Sequence, residues 1–298
     1  MGPRVSDHLR NVVVELASVL GLVPSPDHLG RPDGISAVVR VKDEEWWIEP
    51  SLLSIKNLVD EYIVIDGSTD NTPKIIDEVG ESEDLDITHI IDFDEDYVRV
   101  SNKALEQTKY RWILRWDADF VARKEMASTL KNLIQSLNQR RNYVVYFPHI
   151  SLDGDLFHQD PLAPLDVEHW LTSYTDKTAF IRIPQGYEYL FTPFHYAKRI
   201  QINNPLSFHL RSVKPKKRLL LRRYFHEIQA DGLQGKISLQ EYALRKIRVL
   251  YGVDTLEAAA EIYFKEFTNK LSLYDKNKYC DYPTILKGYA KKRFGIIL

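Results

Sequence analysis

The chain has 298 residues, of which 44% are hydrophobic, and its 17 Tyr, 12 Phe and 5 Trp can build a sizeable core, which excludes a disordered chain. Its single cysteine, Cys280, excludes an internal disulfide framework and a cysteine-based zinc cluster, and it suits a reducing compartment. No apolar run approaches the roughly 18 to 20 residues that span a bilayer, and the N-terminus lacks a signal-peptide pattern, so we expect a cytoplasmic protein.

The net charge of −2 conceals an asymmetry along the chain. Residues 211–298 hold 19 Lys and Arg against 9 Asp and Glu, whereas residues 1–210 hold 21 against 33. The tail is therefore basic and the body acidic. A phosphate-bearing partner near the tail is one explanation, and docking of the tail on the body is the other.

The first predicted element is an amphipathic helix over residues 6–21, because apolar residues recur there at helical spacing. They are Leu9, Val12, Val13, Leu16, Val19 and Leu20. Stretches that contain proline and glycine follow and predict a linker. We expect residues 1–33 to form this helix and linker, with the helix packed on another surface.

Strands and helices then alternate in the order typical of a parallel α/β sheet. Apolar, β-branched runs predict strands at 35–41, 62–66, 87–93, 110–116 and 143–147, and helical periodicity predicts helices at 46–59, 74–79, 97–109 and 123–137. Asp66 and Asp117 both come where strands end. Ligands bind at that edge of such a sheet.

The sequence Trp116-Asp117-Ala118-Asp119 places two carboxylates just after a predicted strand. Side chains two residues apart on an extended chain point the same way, so these carboxylates converge. Hard oxygen donors in this position suit Mg²⁺ or Mn²⁺ carrying a substrate diphosphate. Taken alone, the alternative is a solvated turn.

The pattern loosens after residue 147. Aromatic residues, prolines and short strands, such as those predicted at 179–183 and 206–210, are typical of loops that cover a site. Helices are predicted near 216–230, 238–251, 255–272 and 283–293. We therefore predict a main domain at residues 34–212 and a helical, basic C-terminal region at residues 213–298.

Four sequence blocks together resemble the family 2 glycosyltransferases. In chain order they are Val38–Glu45, Tyr62–Thr72, Val98–Leu105 and Trp112–Asp119. The resemblance implies the GT-A fold, an α/β fold with a Rossmann-like, mostly parallel sheet flanked by helices, here followed by a helical C-terminal region. It also implies a nucleotide-sugar donor, a UDP- or GDP-sugar, whose sugar is transferred to an acceptor hydroxyl.

The resemblance also assigns residues to the donor. They are Val39, Arg40, Val41, Glu44, Asp66, Arg99, Asn102 and Asp117. Asp66 would accept hydrogen bonds from the base, the backbone of residues 39–41 would flank the base, and Glu44 would reach the ribose. For Arg99 and Asn102, the alternative is that they buttress the turn after the second strand.

The metal site implied by the resemblance combines three residues. Asp117 would lie by the ribose and the metal, and Asp119 would ligate the Mn²⁺ or Mg²⁺ that bridges the diphosphate and acts as Lewis acid and template. His209, on a strand well downstream, would complete the site. The alternative for His209 is a structural histidine.

The resemblance does not identify the catalytic base. An inverting transfer needs a carboxylate within hydrogen-bond reach of the acceptor hydroxyl, and the Glu-Asp dipeptide familiar from the family is absent from residues 148–205. Six carboxylates remain, each with the alternative of a solvated loop residue, and Glu168 and Asp155 are the two candidates chosen from Asp153, Asp155, Asp160, Asp166, Glu168 and Glu188. A retaining mechanism stays open.

Two other function classes compete with the glycosyltransferase. A sugar-nucleotide nucleotidyltransferase would need a glycine-rich phosphate loop after the first strand, and Val38–Glu45 contains no glycine. A non-catalytic nucleotide- or phosphate-binding module would use the basic tail.

The expected partners are a nucleotide sugar and a glycan or lipid-linked acceptor, with no nucleic acid. The basic helices of the tail would suit a peripheral membrane contact. The alternatives for the tail are a solvated appendage and the surface of a homodimer.

Overall fold

The computed structural model describes residues 5–94, 96–183, 188–233 and 235–298. Its helices are α1 (Val5–Val19), α2 (Ile48–Ser54), α3 (Thr72–Ser82), α4 (Tyr97–Gln107), α5 (Met126–Ser136), α6 (Lys216–Ala230), α7 (Leu239–Tyr251), α8 (Leu256–Thr268) and α9 (Thr284–Phe294). Its strands are β1 (Ile35–Val41), β2 (Glu61–Asp66), β3 (Ile87–Ile91), β4 (Trp112–Asp117), β5 (Phe120–Ala122), β6 (Asn142–Ser151), β7 (His158–Gln159), β8 (Leu165–Ser173), β9 (Ala179–Arg182), β10 (Glu188–Phe191), β11 (Ala197–Gln201), β12 (Ser207–His209) and β13 (Ser272–Leu273).

Nine strands of the described chain form the main sheet, in the order β3-β2-β1-β4-β8-β6-β12-β5, with β11 beside β6. Strand β1 lies between β2 and β4 and is parallel to both, and β2 is parallel to β3, whereas β8 runs antiparallel to β4. Strands buried on both faces need continuous apolar runs, which is why β1 and β2 were recognisable in the sequence. The predicted class, an α/β fold of the GT-A type with a mostly parallel sheet flanked by helices, is confirmed.

The two faces of the main sheet carry separate apolar cores. Val39, Val64 and Leu114 belong to one core, with residues of α2 and α5. Val38 and Ile113 belong to the other, with residues of α4 and of the antiparallel hairpin β9–β10. Because successive residues of a strand point to opposite faces, the register shows which face each side chain at a strand end takes.

The described chain divides into two compact units. The first unit contains Met1–His149, Leu165–Phe208 and Tyr282–Leu298, and the second contains Ile150–Pro164 and His209–Asp281. The second unit has its own core between α6, α7 and α8. The last helix, α9, belongs to the first unit.

Most predicted helices and strands overlap the observed ones, but the helix predicted at 46–59 is shorter, at Ile48–Ser54, and the short strands β5, β7, β10, β11 and β13 were not predicted. Strand β8 was not predicted, because Leu165–Ser173 mixes polar and apolar residues in a stretch rich in proline and aromatic residues. The third C-terminal helix ends at Thr268 rather than at residue 272. None of the described helices combines the length and apolarity needed to cross a membrane.

Candidate active site

Four parallel strands of the first unit end at one edge of the main sheet. Val41 is paired with Asp66, and Arg40 is paired with Asp117, so that Asp66 and Asp117 flank β1. Two strand spacings, about 10 Å, separate their backbones. Paired residues share a face of the sheet, so Arg40 and Asp117 lie on the face of the β9–β10 hairpin, and Asp66 lies on the opposite face.

Asp66 is fully buried, and both of its carboxylate oxygens are engaged. Oδ1 accepts a hydrogen bond from the backbone N–H of Ser68 at 2.7 Å, and Oδ2 lies 3.2 Å from Nε2 of His89 on β3. Nδ1 of His89 lies 2.7 Å from Oδ1 of Asp77 on α3. The hydrogen bond with Asp66 raises the pKa of His89; burial opposes this shift, and Asp77 adds to it.

The loop after β1 and the turn after β2 are joined by side chains. Oδ1 of Asp43 accepts from the N–H of Thr69 at 2.7 Å, and the N–H of Asp43 donates to Oγ of Ser68 at 2.6 Å. The N–H of Glu44 donates to Oγ1 of Thr72 at 2.8 Å. The loop that carries Glu44 is therefore fixed against the start of α3.

A pocket opens at this edge, on the face of the β9–β10 hairpin. Its described lining comes from the ends of β1, β2 and β3 and from α4: Arg40, Val41, Lys42, Ile65, Gly67, Asp92, Phe93, Asp94, Tyr97 and Val100. The Arg40 guanidinium lies over the Tyr97 ring at 4.5 Å from its centroid. Two residues assigned to the donor, Arg40 and Val41, thus line the pocket directly, whereas the carboxylate of Asp66 lies on the other face.

Arg99 and Asn102 of α4 hold neighbouring segments. Arg99 pairs with Asp94 and, at 3.4 Å, with Asp92, both in the loop after β3. The Asn102 amide makes two hydrogen bonds of 2.8 Å with the backbone of Phe180 in β9. Arg99 therefore shapes the pocket rim, and Asn102 fastens the hairpin to α4.

Arg115 connects several acidic residues beside the end of β4. Its guanidinium lies 3.0 Å from Glu168 on β8 and 3.9 Å from Asp117, and it lies over the Trp170 ring at 4.8 Å. Burial lowers the pKa of Arg115, but Asp117, Glu168 and Glu188 together outweigh burial and raise it. Asp117 and the candidate base Glu168 therefore both lie beside the guanidinium of Arg115.

Glu188 of β10 reaches the same face. Its carboxylate accepts from Nε of Arg40 at 2.7 Å and from Oγ of Ser101 at 2.6 Å. The sequence did not indicate Arg115 or His89, and it offered Glu188 only as one of six carboxylates that could act as a base. Arg115 could have been found, because it precedes Asp117 by two residues on a strand and must share its face; the positions of Glu188 and His89 depend on tertiary contacts.

Asp119 lies in the turn between β4 and β5, and both Asp117 and Asp119 are partly exposed. The backbone carbonyl of Asp117 accepts from Oγ of Ser51, which also accepts from the Trp116 indole N–H at 3.0 Å, so the end of β4 is held from within. Among the described residues, no group of three or more His, Cys, Asp or Glu side chains could hold a metal ion. Two carboxylates fit the kind of Mg²⁺ or Mn²⁺ site that is completed by water and substrate phosphate oxygens.

Two predicted site residues belong to the second unit. The backbone carbonyl of His209, at the end of β12, accepts from the N–H of Leu152 at 2.9 Å. Oδ1 of Asp155 accepts from the N–H of Phe157 at 2.7 Å and lies 2.7 Å from Nδ1 of His158. These contacts give Asp155 a local structural partner in its own loop.

Comparison with known proteins gives a consistent family. The profile described as Glycosyl transferase family 2 matches residues 36–201, more than half of the chain. An uncharacterized glycosyltransferase of Rickettsia bellii (strain RML369-C) is 34% identical over 115 residues, which are 38% of this chain and 36% of that protein. The match thus spans little more than a third of that relative.

Solved structures include similar chains at low identity. S. aureus TarS is 16% identical, with a TM-score of 0.45, and the similarity covers 79% of this chain and 43% of that chain. S. aureus TarS 1-349 in complex with UDP-GlcNAc is 14% identical, with a TM-score of 0.44, covering 78% of this chain and 81% of that chain.

Proposed function

Since the chain belongs to glycosyl transferase family 2, we propose that it transfers a sugar from a nucleotide-sugar donor to an acceptor hydroxyl. The observation that carries the proposal is the pocket at the ends of β1, β2 and β3, on the same face of the sheet as Asp117 and Arg115. Such a crevice at the carboxyl ends of parallel strands is where α/β folds bind nucleotides.

The base and ribose of the donor are proposed to bind across the mouth of this pocket, which is too small to enclose a nucleoside. Phe93 and Tyr97 offer aromatic surface for a base, and Arg40 and Lys42 offer positive charge for phosphate oxygens. Asp66 supports the turn that carries Gly67, a lining residue, so its effect on the donor is exerted through that turn. Glu44 remains the proposed contact for the ribose.

Asp117 and Asp119 are proposed to hold the Mn²⁺ or Mg²⁺, and His209, which belongs to the second unit, stays a prediction from the sequence. A bound divalent ion would offset the charge that develops on the leaving diphosphate. The chain's own contribution is to hold the two carboxylates at a fixed strand end, since Ser51 anchors the Asp117 carbonyl. Arg115 keeps the Asp117 side chain on the pocket face through its own charge.

Glu168 is the better of the two candidates for a base in an inverting transfer. It lies in the same unit as Asp117, and both contact Arg115. As a base, Glu168 would take the proton of the acceptor hydroxyl while Arg115 keeps its carboxylate oriented. The acceptor is proposed to be a glycan or a lipid-linked glycan in the cytoplasm, and the exposed Lys291, Lys292 and Arg293 of α9 suit a peripheral contact with anionic lipid.

The test is binding and slow hydrolysis of UDP-, GDP- and dTDP-sugars with and without Mn²⁺. We expect Mn²⁺-dependent binding of one donor class, and a loss of at least tenfold in affinity and hydrolysis in Asp119→Ala. Asp176→Ala, an exposed carboxylate between β8 and β9, is the matched control and should behave as the wild type. Failure of every nucleotide sugar to bind with any divalent ion would overturn the proposal.

The base is tested by Glu168→Gln and Asp155→Asn. We expect Glu168→Gln to lower kcat by roughly 10² to 10⁴, the usual contribution of a general base, with little change in donor KM. Asp155→Asn should keep activity near that of the wild type. The reverse pattern would move the base to Asp155, and binding without turnover in the wild type would favour a non-catalytic binding module.

A further inference from the structure

Helix α1 buries Val14 and Ala17 together with several polar side chains against the protein, and it presents a second apolar side to solvent. Leu9, Val12, Leu16 and Val19 on the helix, with Leu20 and Leu22 just beyond it, are 55–72% exposed. We call these six residues the α1 stripe. The sequence predicted that this apolar side packs on another surface, but none of the six is buried within the described chain.

The opposite side of α1 is docked by polar contacts that fix its orientation. The Asn11 amide makes two hydrogen bonds with the backbone of Arg199 in β11, at 3.0 and 2.7 Å, and Nε of Arg10 donates to the Ala197 carbonyl at 3.1 Å. Glu15 pairs with Arg141 at 2.8 Å and with Lys198. Rotating α1 to bury its stripe would break all of these contacts, so the stripe is held outward.

We propose that the α1 stripe is a homodimer interface, in which two copies of α1 pack antiparallel about a two-fold axis. The proposal is independent of the catalytic function. The spacing of Leu9, Val12, Leu16 and Val19 is three, four and three residues, which is the a/d spacing of a helix–helix seam.

The stripe is complementary to itself in the antiparallel direction. With the axis at the level of residue 14, Leu9 lies opposite Val19 of the second copy, and Val12 lies opposite Leu16 of the second copy. Each pairing is reciprocal, as an isologous interface requires, and each layer pairs one Leu with one Val. The exposed side of the helix otherwise carries only His8 among titratable residues, so no like charges meet across the seam.

The apolar area of the stripe suits a second copy. Burying a Leu or Val side chain removes about 100 Å² of apolar surface, so six side chains at the observed exposure offer about 400 Å² per copy. The two copies together offer about 800 Å², close to the apolar share of a standard interface of about 1,600 Å².

A membrane is the weaker occupant for this surface. Helices that lie on a bilayer combine an apolar side of Trp, Phe or Leu with a polar side rich in Lys and Arg that faces the headgroups. The α1 stripe contains only Leu and Val, and the charged residues of α1, namely Asp7, Arg10 and Glu15, point to the protein and pair there.

Sedimentation equilibrium of the full chain over about 1 to 100 μM tests the proposal. We expect the wild type to approach twice the monomer mass of 34.7 kDa, and Val12→Glu/Leu16→Glu to raise the dissociation constant at least tenfold while its circular dichroism is unchanged, because both sites are exposed. Val249→Glu, at an 83% exposed valine of α7, is the matched control and should dimerise normally. A wild type that stays monomeric, or a dimer insensitive to the double substitution, would overturn the proposal.

Cysteine cross-linking tests the antiparallel register. In a Cys280→Ser background, an oxidised mixture of Val12→Cys and Leu16→Cys chains should form a disulfide between unlike chains, because the paired positions come within disulfide range. Cross-linking of Val12→Cys to itself would show a parallel pair and refute the register. Flotation of monomeric wild type with phosphatidylserine vesicles, lost in Val12→Glu/Leu16→Glu, would assign the stripe to a membrane instead.

Discussion

Charged residues of the candidate active site are already paired with one another. Arg115 is shared by Asp117 and Glu168, and Glu188 joins Arg40 to Ser101. Burying charged groups is costly unless they are paired, so these contacts let a polar cluster exist at the rim of an apolar sheet. The same contacts preset the positions of the side chains that we assign to catalysis.

The Asp66–His89–Asp77 chain predicts a pH-dependent stability. The pKa of His89 is raised above the value of about 6.5 for an unfolded chain, chiefly by Asp66. A raised folded-state pKa means that protonated His89 stabilises the fold; this contribution is fully present below about pH 6.5 and is lost as the pH rises through the raised pKa. Compared with His89→Gln, the wild type should lose stability as the pH rises from 6 to 9.

Urea unfolding of the wild type and His89→Gln at several pH values measures this effect. Asp77→Asn keeps Asp66 and removes the second partner, so it should show an intermediate pH dependence. An identical pH dependence in His89→Gln and the wild type would show that His89 is not the responsible group.

At the level of elements, close contacts of the backbone fix the position of the strands that form the site. Gly34 precedes β1 at a φ of +149°, and a Cβ there would meet the Tyr110 ring and lie 2.9 Å from Oδ2 of Asp60. That Asp60 oxygen accepts from the N–H of Ile35 at 2.8 Å and so fixes the start of β1. The position at which β1 begins therefore determines where Arg40 and Val41 lie at its carboxyl end.

We expect Gly34→Ala to destabilise the first unit by about 2 to 4 kcal/mol, because the new methyl group collides with Tyr110 and the backbone is strained. Gly288→Ala is the matched control: no neighbouring atom lies within 4 Å of its added Cβ, and it lies within α9. Alanine there should stabilise the helix by up to about 1 kcal/mol. Thermal unfolding followed by tryptophan fluorescence compares the two, and equal effects would contradict this explanation.

At the level of the whole molecule, the first unit is built from segments that are not continuous in the sequence. The first unit includes Tyr282–Leu298, although the second unit intervenes in the sequence. Phe294 of α9 stacks on Trp46 at 5.1 Å and contacts Trp47 at 5.4 Å. Helix α9 therefore packs against the residues that begin α2.

This division predicts two separable unfolding transitions. All five tryptophans, at positions 46, 47, 112, 116 and 170, lie in the first unit. Tryptophan fluorescence should therefore report the first unit alone, while far-ultraviolet circular dichroism reports both. We expect Phe294→Ala to shift the fluorescence transition to lower urea. Leu220→Ala, in the core of the second unit, should shift only the transition that circular dichroism reports for that unit. A single coincident transition in all three proteins would contradict this prediction.

The sequence by itself determined the order and type of most elements, the family, and the residues at the ends of β1, β2 and β4. Local signals suffice for these features, because buried parallel strands need continuous apolar runs and strand ends carry the polar residues. Only the tertiary structure decided that Asp66 and Asp117 point to opposite faces, that Glu168 shares Arg115 with Asp117, that α9 joins the first unit, and that the apolar side of α1 faces outward. These features depend on register and on contacts between residues distant in the chain, for which a single sequence carries no local pattern.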